Sequence, residues 1–128
     1  MKLSGWDYID HMIEDCIDIL EAVKITKDKS SFISNRIIHK SVTYSLLNLG
    51  ELMKTFSEND KNTCPDIPWK NIIGFRDRAA HGYHTLDLDI IWEISQNHIS
   101  SLLEILVQQK TKQSDVKILE NICYLMLL

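Results

Sequence analysis

An all-α antiparallel bundle of four to five helices is the fold this sequence predicts, on three observations. Only two prolines and four glycines occur in 128 residues. Apolar side chains recur at steps of three and four over long stretches, the spacing of one helical face. Turn-forming residues are confined to short clusters between those stretches. The composition, 45% hydrophobic and 25% charged, is that of one globular domain able to bury a core without a disulfide or metal staple.

The first helix is expected over about Trp6 to Ile25, where Trp6, Ile9, Ile13, Cys16, Ile17, Leu20 and Val23 form a stripe. Thr26 to Ser31 breaks that stripe and offers capping side chains for a new helix. A second helix from about Ser34 to Glu58 carries Ile37, Ile38, Tyr44, Leu47, Leu52, Met53 and Phe56. Gly50 interrupts it at a cost of about 1 kcal/mol relative to alanine, which points to a close helix crossing there. Residues Asn59 to Pro68 hold both prolines among Asn, Asp and Thr, and read as a loop.

The third helix is expected over about Trp69 to His81, with Pro68 in its first turn and Gly82 as its stop. The fourth begins near Thr85 or Asp87, either of which can cap it, and continues through Ile90, Ile91, Ile94, His98, Leu102, Ile105 and Leu106. Beyond Thr111 comes a polar joint and then an apolar run from Ile118 to Leu128, too short to span a bilayer. The expected organisation is a helical domain over 1–110 and a C-terminal apolar extension over 111–128 that forms a short packing helix.

Several function classes are disfavoured by composition. Cys16, Cys64 and Cys123 are odd in number, far apart and without C-x-x-C spacing, against a disulfide framework or structural zinc. The N-terminus has no basic region followed by an apolar stretch, so neither secretion nor membrane insertion is expected and the cytoplasm is the expected location. A net charge of −4 argues against non-specific nucleic-acid binding over a basic face, so any role on RNA must come from a local site.

The string Phe75-Arg76-Asp77-Arg78-Ala79-Ala80-His81-Gly82-Tyr83-His84 gathers guanidiniums, an acid, imidazoles and a phenol. Arginine presents a planar donor fork to phosphate oxygens, and histidine moves protons near neutral pH. Together they suit cleavage of RNA by its own 2′-hydroxyl, which needs proton transfer at the ribose and positive charge at phosphorus. On an ideal helix Asp77 and His81 share a face, and Asp77 is placed to orient the imidazole. Arg76 and His81, five apart, diverge by about 140°. They converge only if the chain turns at Gly82 or if two copies face each other across a dimer axis.

A second reading of the same residues is a solvated helix face with His81 near a helix C-terminus. His81 and His84, three apart, lack a completing ligand set, so neither a metal nor another cofactor is expected.

The run Ile67-Pro68-Trp69-Lys70-Asn71-Ile72-Ile73-Gly74 leading into Phe75 to Tyr83 resembles the R-x-x-x-x-H-x-Y signature of HepT-like toxins in the HEPN superfamily. Leu86 to Leu103 resembles the helix that follows the signature, and Asn48-Leu49-Gly50-Glu51 the turn in helix two, so that the likeness covers about residues 6 to 108. The resemblance implies a HEPN-like helical homodimer with a shared cleft and metal-independent endoribonuclease activity in a toxin-antitoxin pair. It implies that Arg76 polarises the scissile phosphate, that His81 transfers a proton and that Asp77 occupies the polar position after the arginine. Lys70, Arg78 and Lys40 are the basic residues available to grip RNA. The resemblance further implies a nucleotidyltransferase antitoxin that transfers AMP to Tyr83 and so blocks the cleft. The alternative is a non-catalytic HEPN-like module that binds a nucleotide or the nucleotidyltransferase.

Overall fold

In the computed structural model, which describes residues 5–127 apart from the side chains of Tyr83, Val116 and Lys117, the expected helical architecture is present and no strand occurs among the described residues. A 3-10 turn over Gly5–Tyr8 leads into α1 (Ile9–Ile25). Then come α2 (Lys29–Ser34), α3 (Arg36–Met53), α4 (Glu58–Thr63), α5 (Trp69–Ala79), α6 (Leu88–Asn97) and α7 (Ile99–Leu127).

The core follows from sequence spacing. Met12, Cys16, Ile19 and Val23 on α1 face Val42, Leu46, Leu49 and Met53 on α3, each set at steps of four, three and four, and all are buried. Ile72 and Phe75 of α5, Ile91 and Ile94 of α6, and Ile99, Leu102 and Leu106 of α7 close the same cluster. Fully burying a side chain of this size contributes about 1.5–3 kcal/mol, so these stripes dominate the stability of the bundle.

Several boundaries differ from the sequence expectation, for local reasons. The second helix is α3, shorter than expected at Arg36–Met53, and a separate α2 occupies the expected break before it, because Asp28 Oδ1 accepts from the Ser31 N–H at 2.8 Å and Asn35 Oδ1 from the Ile38 N–H at 3.1 Å, starting α2 and α3 separately. The expected loop after it contains α4, started by Ser57 Oγ accepting from the Asp60 N–H at 3.1 Å. Asp87 caps α6 as expected. The fourth helix, however, breaks at His98, just after Ser95 Oγ donates to the Ile91 carbonyl, a back-bond that bends helices. Ile37 and Tyr44, placed on the core stripe from spacing, are 81% and 67% exposed.

The C-terminal region differs most. α7 passes through Thr111 without the expected joint, since no proline or glycine stands between Ile99 and Leu127. The core stripe ends at Leu106, where its continuation would fall on Gln109, Lys110 and Gln113. Lys110 pairs with Asp10 at the start of α1, and Ile118, Leu119, Ile122, Leu125 and Met126 are exposed beyond it. No helix among the described residues is long and apolar enough to cross a membrane.

Candidate functional site

The crossing expected at Gly50 is where α3 meets α5. A Cβ built on Gly50 would lie 2.5 Å from Arg76 Cβ and 3.0 Å from the Ile72 carbonyl oxygen, so the two backbones approach as only glycine permits. Ile72 and Phe75, one turn apart, anchor α5 in the core and turn Arg76 toward α3. There Arg76 Nε lies 3.1 Å from Glu51 Oε2. The Arg76 side chain is 31% exposed, held at its root and open at its edge.

One turn further on, Lys54 Nζ donates to Asp77 Oδ1 at 2.9 Å. The Asp77 carboxylate therefore goes to Lys54, and no contact joins it to His81 among the described residues. The reason is where the helix ends. The expected third helix included His81, which would have put it one turn above Asp77, but α5 stops at Ala79. The Ala80, His81 and Gly82 N–H groups donate three residues back, to the carbonyls of Asp77, Arg78 and Ala79, the tightened last turn of a helix terminus.

Gly82 then takes φ +126, and a Cβ there would meet the His84 ring at 2.8 Å, so the change of course expected at this glycine is present. His81 is left exposed just past the helix end. Tyr83 begins a short 3-10 turn over Tyr83–Thr85, tied by the Thr85 N–H and hydroxyl donating to the Gly82 carbonyl; its side chain lies outside the described residues. Arg78 and Lys70, each four positions from Gly74 between them, both border a cleft of about 370 Å³ between α5 and α6, shared with Glu93 and His98.

Sequence reasoning missed the acidic neighbourhood behind Glu51. His11, Glu14, Asp15 and Asp18 of α1 and Asn48, Glu51 and Leu52 of α3 line a cleft of about 340 Å³. Partial burial, then repulsion from Asp18 and Glu14, pushes the Asp15 carboxyl up to about 6, against the pull of His11 and a hydrogen bond to Asn48. The signal available was Gly50 itself. A glycine marking a crossing implies that Glu51 and Lys54, one turn apart beside it, meet the crossing helix. Of the cysteines, Cys16 and Cys64 are buried and Cys123 is exposed; burial raises the Cys16 thiol to about 12, which suits a core residue and not a nucleophile.

Comparison with known proteins gives the chain relatives. A family model described as Ribonuclease HepT-like matches residues 13–108, from α1 into α7. A protein of Thermococcus cleftensis named "Probable ribonuclease HepT" is 28% identical over 102 residues, covering 80% of this chain and 92% of that one. A provisionally named RNase of Methanocaldococcus jannaschii is 34% identical over 88 residues, 64% of this chain and 73% of its own. Another, from Caldanaerobacter subterraneus, is 29% identical over 95 residues, 74% and 84% respectively. No solved structure gives a significant match. The match spans three quarters of the sequence and contains both helices of the Gly50 crossing, and the chain belongs to the HepT-like ribonuclease family.

Proposed function

We propose that this protein is a metal-independent endoribonuclease toxin in which Arg76 and His81 act on one phosphodiester, each cleft being completed by a second copy of the chain. The observation that carries the reading is the seating of Arg76, whose guanidinium is held through Nε by Glu51 at a crossing that only a glycine allows. Pairing through Nε leaves the Nη donors for two phosphate oxygens, where negative charge grows in the transition state. His81, outside the helix and exposed, supplies the proton transfer.

In the reaction the ribose 2′-hydroxyl loses its proton to a base and attacks the adjacent phosphorus. The P–O5′ bond breaks, the departing 5′-oxygen is protonated, and a 2′,3′-cyclic phosphate and a 5′-hydroxyl remain. Asp77, engaged with Lys54, acts as part of the scaffold that holds α5 on α3, and no longer as the orienting partner of His81. Arg78 and Lys70, on the α5–α6 cleft, serve as supporting contacts to the strand. A nucleotidyltransferase antitoxin moving AMP from ATP to the Tyr83 hydroxyl, with loss of pyrophosphate, would place added negative charge two residues from His81 and shut the site.

The test is RNA cleavage by purified dimer in excess EDTA, with analysis of product ends. Cyclic phosphate ends, and a loss of about 10²–10³-fold in rate for both Arg76→Ala and His81→Ala, are expected. An intact substrate with unmodified dimeric protein overturns the catalytic reading and leaves a binding module.

A further inference from the structure

Two hollows at the end of α3 opposite the Gly50 crossing share Thr26 and Lys27 and so form one groove. The larger, of about 820 Å³, lies where α1 gives way to α2 and α3 begins, and carries Lys27, Arg36 and Lys40. The smaller, of about 500 Å³, continues between α1 and α6 with Lys24, Trp92 and Gln96. Among the described residues no aspartate or glutamate lines either, in a chain with 18 acidic and 14 basic residues. By contrast, Glu93 borders the Arg78 cleft, and four carboxylates line the hollow beside Glu51.

The four cations are also uncommitted. Lys29, Lys54, Lys61, Arg76 and Lys110 each pair with a carboxylate, whereas Lys24, Lys27, Arg36 and Lys40 form no ion pair with any described residue. The N-terminus of the 18-residue α3 opens at Asn35 and Arg36 and adds its partial positive charge. Apolar surface lies beside the charge, from Ile37, exposed at the rim, and from Trp92, whose ring rests against Phe32 with centroids 5.2 Å apart. Unpaired cations next to an aromatic and an aliphatic face, with amide and hydroxyl groups between, are the elements of a surface that follows a single nucleic-acid strand.

We propose that this groove is a second RNA-binding site, a sequence-tolerant exosite in which Lys24, Lys27, Arg36 and Lys40 hold backbone phosphates. It lies about 20 Å from the Gly50 crossing, counted from Arg36 along α3 at 1.5 Å per residue. It therefore grips a strand at a distance from the bond that is cut. The RNA identity of the strand rests on the ribonuclease reading; the anion-binding character rests on the groove alone.

The test measures binding separately from cleavage. A fluorescent, uncleavable 2′-O-methyl strand of about twelve nucleotides is titrated against the full chain and against the Lys24→Gln, Lys27→Gln, Arg36→Gln, Lys40→Gln variant over a range of salt. All four substituted residues are exposed, and circular dichroism checks that the variant folds. The expected result is a salt slope reduced by about 2–3 and an affinity at low salt reduced roughly tenfold or more, since each phosphate of a single strand that a cation neutralises is worth about 0.7 in the slope through the counterions it releases.

Cleavage of a dinucleotide, too short to reach the groove, is expected to be unchanged in a Lys24→Gln, Lys27→Gln, Arg36→Gln variant that keeps Lys40, while KM for a long strand rises. Equal strand binding by variant and parent overturns the proposal, as does a groove that takes a poly-glutamate peptide in preference to the strand. Charge-dependent strand binding by a protein that cuts neither substrate would support the groove and overturn the catalytic reading.

Discussion

At the C-terminal end of α3, Glu51 and Lys54 each take a charge from α5; at its N-terminal end Arg36 and Lys40 face a groove that offers them no carboxylate. The two ends of α3 thus meet two kinds of positive charge, Arg76 of α5 at one and Arg36 and Lys40 of α3 itself at the other. A paired and half-covered guanidinium is held in one orientation, which transition-state stabilisation requires, because donors aimed in advance need no reorganisation. Unpaired exposed cations are mobile and strongly hydrated, and suit a strand that slides or binds in many registers. The difference also bears on how an acidic protein can handle RNA. Its net charge is −4, yet four carboxylates share the cleft that includes Glu51, and none of the described ones lines the groove at the other end.

The contrast can be broken most sharply at Gly50. Gly50→Ala places a methyl group where Arg76 Cβ and the Ile72 carbonyl already stand, so α5 must move off α3. Overpacking of this kind costs about 1–3 kcal/mol, read as a lower urea midpoint, and the displaced Arg76 should lose cleavage while strand binding in the groove persists. Loss of groove binding to the same degree would show that the two ends are not independent.

A smaller effect is expected at Asp15, whose carboxyl is raised to about 6 by partial burial and neighbouring acids. Its folded value exceeds its unfolded one, so the native state binds the extra proton between about pH 4 and pH 6, and stability falls as pH rises through that window. Asp15→Asn should remove that slope and stabilise the protein at pH 7 by about 1 kcal/mol, solvent screening at a half-buried side chain having reduced the full linkage value. Unfolding midpoints of both proteins at pH 4 and pH 7 measure it; a stability difference between variant and parent that does not grow over that range would contradict the burial argument.

The smallest effect should come from the Lys54–Asp77 pair, with side chains 45% and 56% exposed. Lys54→Gln is expected to change stability by no more than about 0.5 kcal/mol and to leave groove binding unaltered. A loss of cleavage well beyond that shift would give Asp77 a larger part in placing the motif.

Much of the fold was legible because its cause is local. The steps of four, three and four that place Met12, Cys16, Ile19 and Val23, or Val42, Leu46, Leu49 and Met53, on one face are properties of a helix. Gly50 as a crossing and Gly82 as a change of course were likewise readable, since a glycine in a periodic run has few other purposes, although the helix itself stops earlier, at Ala79. Boundaries were less legible. Whether Asp28, Asn35 and Ser57 start helices depends on which backbone N–H each side chain captures, and Ile37 and Tyr44 carry the spacing of core residues without being covered.

The sequence by itself determined the helical class, the stripes that build the core and the cluster of Arg76, His81 and Tyr83, because periodicity and side-chain chemistry are carried by neighbouring residues. Only the tertiary structure decided that Arg76 answers to Glu51, that Asp77 answers to Lys54 instead of His81, and that four cations from two helices and a connecting turn share a groove without acids. Those are meetings between residues distant in sequence, Lys54 and Asp77 standing 23 positions apart. Charge acts through space, and the spacing of residues along a chain does not say which charges will meet.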